Sequence, residues 1–415
     1  MTAPSTVHSL HQFQFDNGLV LLVEEMPDVQ SAALNLLVPA GSLYEENGFN
    51  GTAAALCDLM TRGAGGRSSR ELAGVLDHLG VQRDEQVGWN FLSFSAATLA
   101  DLIVPTLEAY ADILLRPHLD ETDFEPVMAG IEQGLVALED DPQRKVLVEL
   151  RKRCYDAPWN RPTDGTLAEL PGITIDKVRQ LYARGFRPGG TIISLAGNVN
   201  ADAIRDAVAR LFGSWPVLPE PTVERTPVRA SHEHIPHPST QTHIGIATRG
   251  IAYGHPDYYA AWAVVSVLSG GSSSRLFTEV RENRGLCYSI YATLHTLKTE
   301  GRVLAYAGTT AERAQETLDV TLQELRRIAE GIEPDELERC KTRAKSALIM
   351  QQESTMSRAS SLGRDWFYLS RVNTLADIRR QIDALTVDSL LDYLRRYPMD
   401  EFLTLTVGPE PLVVN

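Results

Sequence analysis

The sequence has few cysteines, no long apolar run and a deficit of basic residues. Its four cysteines, Cys57, Cys154, Cys287 and Cys340, are scattered over 415 residues without the paired spacing of a disulfide framework or a zinc ribbon. No apolar run approaches the length of a transmembrane helix, and the N-terminus shows neither the basic nor the apolar region of a secretion signal. These absences predict free thiols in a reducing compartment, no membrane association and a cytoplasmic protein.

The charge balance is acidic. Asp and Glu number 54 against 39 Lys and Arg, which leaves a net charge of −15, and the isoelectric point is near 5.2. Such a surplus argues against nucleic acid or an anionic membrane surface as a partner. It leaves open whether the acidic residues favour basic peptides or serve only solubility. A hydrophobic content of 43% is ordinary for a soluble globular protein, and the length suggests two to three domains.

Residues 51–67, GTAAALCDLMTRGAGGR, predict a short helix that Thr52 can cap. On it, Ala54, Cys57 and Asp58 stand at positions i, i+3 and i+4 and so share one face. An H-x-x-E-H helix has this spacing, because two imidazoles one turn apart bind zinc and the Glu between them acts as a general base. With Ala, Cys and Asp at these positions, no zinc site of that type can form.

The segment SSRLFTEVRENRGLCYS in the second half carries Arg281 and Tyr288, seven positions apart. The pattern predicts a helix capped by Ser272 or Ser273, with Arg281 in its last turn. Gly285 ends this helix, and Tyr288 is predicted on the following strand. A guanidinium and a phenol hydroxyl can both donate hydrogen bonds to a developing oxyanion.

Both segments resemble the pitrilysin/insulinase-type zinc peptidases, whose relatives include the mitochondrial processing peptidase. The resemblance covers most of the chain, beginning with FDNGLVLLVEE. It implies that Ala54 and Asp58 occupy the two His positions and that Cys57 occupies the position of the Glu base. The third ligand position, 76 residues after Asp58, is Gly134 (134 − 58). The chain is therefore expected to bind no metal and not to be a peptidase on its own.

The resemblance also implies that Arg281 and Tyr288 contact bound peptide near the scissile carbonyl. The leading hypothesis is a non-catalytic, substrate-binding subunit of a heterodimeric zinc peptidase that degrades or processes unfolded peptides. In this hypothesis Arg281 and Tyr288 act in trans, and a homologous partner subunit carries the zinc.

Two other classes of function stay open. The chain can be a scaffold or binding protein that has a peptidase fold and no role in proteolysis. It can also be an enzyme of another kind, centred on Cys57 or on a metal held by His232, His234, His237 and His243.

The organisation along the chain predicts an internal duplication. Residues 216–239 are rich in Pro and charge and are predicted to link an N-terminal domain, 1–215, to a C-terminal domain, 240–415. Residues 172–200 parallel 384–411, because each segment runs from a cappable helix into a strand that ends at Gly.

The fold class is therefore predicted as α+β, with two similar domains, each an antiparallel-rich sheet covered by helices as in processing-peptidase-like metallohydrolases. The predicted strands include 15–25, 31–38 and a pair within 81–97. The predicted helices include 105–115, 121–139, 143–155, 257–268, 312–330, 334–360 and 374–382.

Overall fold

A computed structural model describes residues 9–229 and 232–414. Its strands are β1 (Ser9–Gln14), β2 (Val20–Glu25), β3 (Ser31–Val38), β4 (Gly63–Ala64), β5 (Arg67–Ser68), β6 (Gln82–Val87), β7 (Leu92–Leu99), β8 (Ile192–Gly197), β9 (Glu233–Pro236), β10 (Gln241–Gly250), β11 (Ser289–Thr296), β12 (Gly301–Thr310) and β13 (Phe402–Gly408).

Its helices are α1 (Thr52–Leu59), α2 (Ser69–His78), α3 (Ile103–Leu115), α4 (Glu121–Glu139), α5 (Pro142–Cys154), α6 (Ile175–Gly185), α7 (Ala201–Phe212), α8 (Tyr258–Ser269), α9 (Ala314–Arg327), α10 (Pro334–Gln352), α11 (Thr355–Leu369), α12 (Leu375–Asp383) and α13 (Val387–Arg396). A π-helical turn spans Phe277–Asn283. Over the described residues, every helix is too short or too polar to cross a membrane.

The chain forms two compact units that do not follow a single cut in the sequence. The first unit comprises the described residues of Met1–Val136, Arg161–Arg225 and Met350–Phe367. The second comprises those of Ala137–Asn160, Thr226–Ile349 and Tyr368–Asn415. Residues 137–160 therefore belong to the second unit, although the predicted N-terminal domain, 1–215, includes them. Residues 350–367 belong to the first unit, although the predicted C-terminal domain, 240–415, includes them.

The first unit is built on a six-stranded sheet in the order β1-β2-β8-β3-β7-β6. β2 and β8 run parallel, and the other neighbours are antiparallel. Side chains alternate between the two faces of a strand, so Leu34 and Leu36 of β3 enter the main core. Strands β2, β7 and β8 and helices α1, α2, α3, α4, α6 and α7 also contribute residues to that core.

The second face of this sheet is covered by α11, which comes from the C-terminal half of the sequence. Ala359 of α11 packs with Ala33 of β3 and Ala196 of β8. Gly363 lies so close to the sheet that an added Cβ would come within 3.1 Å of Leu37 Cδ1. Both faces of the sheet are thus buried, which fits the strongly apolar sequences of β2, β3 and β8.

The second unit repeats this arrangement on a five-stranded sheet in the order β11-β12-β10-β13-β9. Ile244 and Ile246 of β10 face a core to which α8, α9 and α13 contribute. The opposite face is covered by α5, which comes from the N-terminal half of the sequence. An added Cβ on Gly245 would lie 3.2 Å from Val146 and 3.3 Å from Leu150. The two halves of the chain therefore exchange one covering helix each.

The predicted fold class is confirmed: two similar α+β units, each with an antiparallel-rich sheet covered by helices. Two element predictions are wrong. The strand predicted over 15–25 begins only at Val20, because a turn at Gly18 with φ of +90° precedes it. The single helix predicted over 334–360 is two helices, because the Ser354 hydroxyl accepts a hydrogen bond from the Ser357 N–H at 3.2 Å and so caps a new helix.

A buried ion pair joins α11 to the first sheet. Arg358 on α11 donates from Nε to Glu24 Oε2 on β2 at 3.0 Å, and its Nη2 contacts the same oxygen. Both residues are buried, at 8% and 3% exposure. Removing one member leaves the other as a buried charge that has lost this partner, which costs far more than loss of an exposed pair.

We expect Arg358→Ala to lower the free energy of unfolding by about 3–5 kcal/mol, because the buried Glu24 side chain loses this partner. Chemical denaturation of the purified chain measures this. The control is Arg116→Ala, which removes an exposed partner of Asp112 while Arg67 stays 2.7 Å from that carboxylate. The control should cost less than about 1 kcal/mol, and equal effects of the two substitutions would contradict the prediction.

Candidate functional site

The N-terminus of α1 is held by a buried carboxylate. Glu45 Oε1 accepts hydrogen bonds from the Gly51 and Ala53 N–H groups at 3.0 and 2.8 Å. Gly51 is the residue before the helix and has φ of +119°, and the Thr52 hydroxyl instead donates to the Phe49 carbonyl. The prediction that Thr52 caps this helix is therefore wrong. Burial raises the pKa of Glu45 to about 7, although these N–H donors and Asn50 act in the opposite direction.

One face of α1 borders an open cleft of about 520 Å³ within the first unit. Ala54, Cys57 and Asp58 all line it, together with Glu85 from the edge strand β6 and other residues of that strand. The cleft is polar, since Arg83, Gln86 and Asp164 complete much of its wall. The shared helical face predicted from the spacing is thus the face that borders this cleft.

The side chains at the three α1 positions cannot act as a zinc site. Ala54 has no donor atom. Burial, together with the charges of Glu85 and Asp58, raises the pKa of the Cys57 thiol to about 12, so it stays protonated at neutral pH. Asp58 is exposed and directed to Arg62, whose Nε lies 2.7 Å from Oδ1.

Gly134, the position that the resemblance assigns to the third zinc ligand, also has no donor atom in its side chain. Gly134 lies on α4, is exposed, and offers no side chain. An added Cβ there would meet nothing within 4 Å. Across residues 9–229 and 232–414 there is no group of three or more His, Cys, Asp or Glu side chains arranged to hold a metal ion. Zinc therefore does not fit the residues present.

The histidines near the linker are dispersed over separate partners. His232 Nδ1 accepts a hydrogen bond from the Thr404 N–H at 3.2 Å, and His234 Nδ1 lies 2.9 Å from Thr406 Oγ1. His237 Nε2 lies 3.3 Å from the Glu139 carbonyl oxygen. His243 Nδ1 lies 2.8 Å from the Tyr306 hydroxyl. Each imidazole serves a local hydrogen bond, which leaves the linker-histidine metal hypothesis without support in the described part of the chain.

Cys57 is equally unsuited to a nucleophilic role. The thiol is 6% exposed and its pKa is raised, so the reactive thiolate is scarce at neutral pH. The other three cysteines are also buried and free. A thiol-based enzyme centred on Cys57 is therefore disfavoured on chemical grounds.

Arg281 and Tyr288 lie together in the second unit. The Arg281 Cζ atom is 5.2 Å from the centroid of the Tyr288 ring and 4.7 Å from that of the Phe277 ring. Tyr288 is 84% exposed, an unusual exposure for an aromatic side chain. The seven-residue spacing thus brings the two residues into direct contact.

The local backbone differs from the sequence prediction in two details. The helix that carries Arg281 begins after Ser274, whose carbonyl accepts from the Thr278 N–H at 2.9 Å, so neither Ser272 nor Ser273 is the cap residue. Tyr288 immediately precedes β11 instead of lying on it, although its N–H already bonds to the Gly308 carbonyl at 3.2 Å.

Gly285 ends the helix as predicted. Its φ of +59° lies in the left-handed region that favours glycine. Its N–H bonds to the Arg281 carbonyl at 3.1 Å, and its own carbonyl accepts from Arg313. This turn returns the chain toward the helix and brings Tyr288 beside Arg281.

Two structural features of these regions escaped the sequence analysis. Glu45 lies six residues before Gly51, and an acidic residue so far from a helix start is not a usual capping signal. Phe277 lies four residues before Arg281, a spacing that puts both on one helical face and that could have indicated the contact.

Residues 20–166 match the family model described as insulinase, peptidase family M16, and residues 172–344 match the one described as peptidase M16 inactive domain. The chain is 27% identical over 405 residues to an uncharacterized zinc protease of Bacillus subtilis, covering 96% of this chain and 98% of that protein. It is 26% identical to one from Mycobacterium tuberculosis, covering 94% of this chain and 91% of that protein.

Two solved structures share the fold. A peptidase M16 inactive domain from Pseudomonas fluorescens has a TM-score of 0.90 at 24% identity and covers 98% of this chain and 100% of its own. A protease from Helicobacter pylori has a TM-score of 0.88 at 20% identity and covers 97% of this chain and 100% of its own. At these identities the likeness concerns the fold.

We expect the purified chain to retain no stoichiometric zinc after incubation with zinc and removal of the excess, because Ala54 and Gly134 offer no ligand and a zinc site needs at least three protein ligands. Metal content is measured by mass spectrometry, and a peptidase with an intact H-x-x-E-H helix serves as the positive control. One zinc per chain would contradict the prediction.

We expect stability to fall as the pH rises through the titration range of Glu45. The pKa of this carboxyl is about 7 in the folded chain against an ordinary 4.5, so the folded state holds the proton more tightly than the unfolded state does. The stabilisation from that proton is present below pH 4.5 and is lost on going through pH 7, by about 3 kcal/mol in total.

Glu45→Gln removes this titration and keeps an oxygen that can accept from the helix N–H groups. The free energy of unfolding of the variant minus that of the wild type should rise by about 3 kcal/mol between pH 4.5 and pH 8. Glu132→Gln, an exposed carboxyl on α4, should show no such shift. Parallel pH profiles for the wild type and Glu45→Gln would refute the assignment.

Proposed function

The chain belongs to peptidase family M16, the insulinase family, and we propose that it is the non-catalytic, peptide-binding subunit of a two-chain zinc peptidase. The resemblance seen in the sequence is thereby confirmed at the level of the family and of its inactive-domain type. The partner in this proposal is a homologous chain with an intact H-x-x-E-H helix. The substrate is an unfolded peptide.

One contrast carries the proposal. The positions that the resemblance assigns to the zinc ligands and the general base hold Ala54, Cys57, Asp58 and Gly134. Arg281 and Tyr288, to which the resemblance assigns peptide contact, are both present, Arg281 half-buried and Tyr288 exposed. The 84% exposed Tyr288 and the neighbouring guanidinium together form a pair of hydrogen-bond donors that a ligand can reach. Tyr and Arg are also the side chains that most often dominate binding surfaces.

The chemistry of the pair suits a carbonyl oxygen. Arg281 offers several N–H donors on a planar fork, and Tyr288 offers one O–H donor. Donors aimed at an oxygen that becomes negative during hydrolysis stabilise that charge, which is the role of an oxyanion hole. Bond cleavage itself belongs to the partner's metal centre. This chain binds the peptide and fixes its register.

The edge of the first sheet offers a second contact for an extended peptide. β6 is the terminal strand and, within the described residues, pairs only with β7. Its residues Arg83, Glu85 and Gln86 line the cleft beside α1. An extended peptide can add to such an edge through main-chain hydrogen bonds, with its side chains alternating into and out of the cleft.

A cytoplasmic location is part of the proposal. The four cysteines are free and buried, as in proteins of reducing compartments. The net charge of −15 disfavours nucleic acid and anionic lipid as partners.

The test is to co-express this chain with the zinc-bearing homologue and to measure hydrolysis of an unfolded peptide by each chain alone and by the mixture. We expect co-purification and activity in the mixture only. Arg281→Ala should then lower kcat/KM of the mixed complex about 10²-fold, and Tyr288→Phe should lower it by a similar or smaller factor, since each removes a donor to the developing charge.

The matched control is Arg326→Ala. Arg326 is an exposed arginine that, like Arg281, lies over an aromatic ring, that of Phe402 at 5.1 Å. This control should leave kcat/KM unchanged. A zinc chain that is fully active alone, or an Arg281→Ala complex with normal turnover, would reject the trans role and leave the chain as a binding protein with a peptidase fold.

A further inference from the structure

Phe277 is an aromatic residue without a place in the core. Within the described part of the second unit, the half-buried hydrophobic side chains that pack against the core include Tyr259, Trp262 and Leu294 but not Phe277. Phe277 does contact Arg281, whose Cζ lies 4.7 Å from its ring centroid. Its ring is therefore placed to contact the Arg281 guanidinium.

The Arg281 guanidinium is held by two rings and by no carboxylate. Phe277 and Tyr288 each lie within cation–π distance of it, at 4.7 and 5.2 Å. Over residues 9–229 and 232–414, the Arg281 side chain forms neither an ion pair nor a hydrogen bond with another side chain or with the backbone. Aromatic rings contact the flat faces of a guanidinium and leave the N–H groups at its edges available. A carboxylate in their place would occupy those same N–H groups.

The backbone supplies this arrangement through a π-helical turn. Phe277 and Arg281 are four residues apart within Phe277–Asn283, and such turns recur at functional sites. Beyond the turn, the Leu286 N–H bonds back to the Val280 carbonyl at 3.0 Å. The Tyr288 N–H then bonds to the Gly308 carbonyl, so the second ring is anchored to the sheet.

We propose that Phe277 is a positioning residue that, together with Tyr288, holds the Arg281 guanidinium in one orientation with its donors facing outward. Its relevance to catalysis rests on the proposed function above, in which Arg281 binds the peptide carbonyl. Arginine is a long and flexible side chain, so without the Phe277 ring the same donors are spread over several orientations. Pre-organised donors are more effective than mobile ones because less ordering is required on binding.

The first measurement needs only the isolated full-length chain. With 15N-labelled arginine, the Nε–H signal of Arg281 is assigned by its loss in Arg281→Lys. Phe277→Leu should move this signal, because a ring current is removed, and should speed its exchange with solvent. Phe277→Tyr should leave it nearly in place. Phe402→Leu, which removes the ring beside Arg326, should move the Arg326 signal and not that of Arg281.

The second measurement uses the mixed complex. Phe277→Leu should lower kcat/KM about two- to fivefold, the size expected for one exposed cation–π contact, and Phe277→Tyr should restore it. Phe402→Leu should have no effect. Thermal unfolding of Phe277→Leu should match the wild type, which separates positioning from a structural role.

The two measurements separate the two proposals. If the Arg281 signal is unchanged in Phe277→Leu, the positioning role is overturned whatever the activity of the complex. If the signal moves and Arg281→Ala leaves turnover normal, the positioning stands and the peptide-binding function fails. If the signal moves and Arg281→Ala is impaired while Phe277→Leu turns over normally, positioning has no catalytic consequence and the inference is rejected.

Discussion

A β-sheet with two apolar faces must be covered on both, and this requirement governs the structure. Helices from the same half of the sequence cover one face of each sheet. The remaining face is covered by α11 in the first unit and by α5 in the second, each drawn from the other half. The Arg358–Glu24 ion pair adds a polar anchor to one of these helices. The second face of each sheet is thus covered only by residues that lie far away in the sequence.

The two α1 positions that the resemblance assigns to zinc ligands are peripheral to the core. Ala54 is only half-buried and Asp58 is exposed, while the neighbouring Ala53, Ala55 and Leu56 on α1 are fully buried. The side chains that hold α1 in place are therefore different from those at the ligand positions. The Glu45 carboxylate at the helix start also acts through backbone N–H groups and does not depend on the cleft-facing residues. The chemistry of the cleft can change while the helix keeps its position.

Sequence patterns predicted the shared helical face and the glycine turn, but they failed for the helix caps and for the long-range packing. The i, i+3, i+4 spacing placed Ala54, Cys57 and Asp58 on one face, and the glycine at position 285 predicted the turn that brings Tyr288 back to Arg281. The exchange of helices was not predictable, because the apolar positions of α5 do not specify which sheet they cover. The capping of α1 by Glu45 was missed for a related reason: burial of a carboxylate depends on a loop path that periodicity does not describe. The role of Gly134 as a vacant ligand position stays a prediction.

The exchange of helices also has a consequence for synthesis of the chain on the ribosome. Most residues of the first unit have been synthesised once the ribosome reaches Arg225. The segment that covers the second face of its sheet is complete only at Phe367, 142 positions later (367 − 225). At about 5–20 residues per second, the half-covered sheet is exposed for roughly 7–28 s while the intervening segment is made. During that interval the second face of the sheet lacks its covering helix, so we expect the nascent chain to expose apolar strands for longer than a chain of two self-contained domains would.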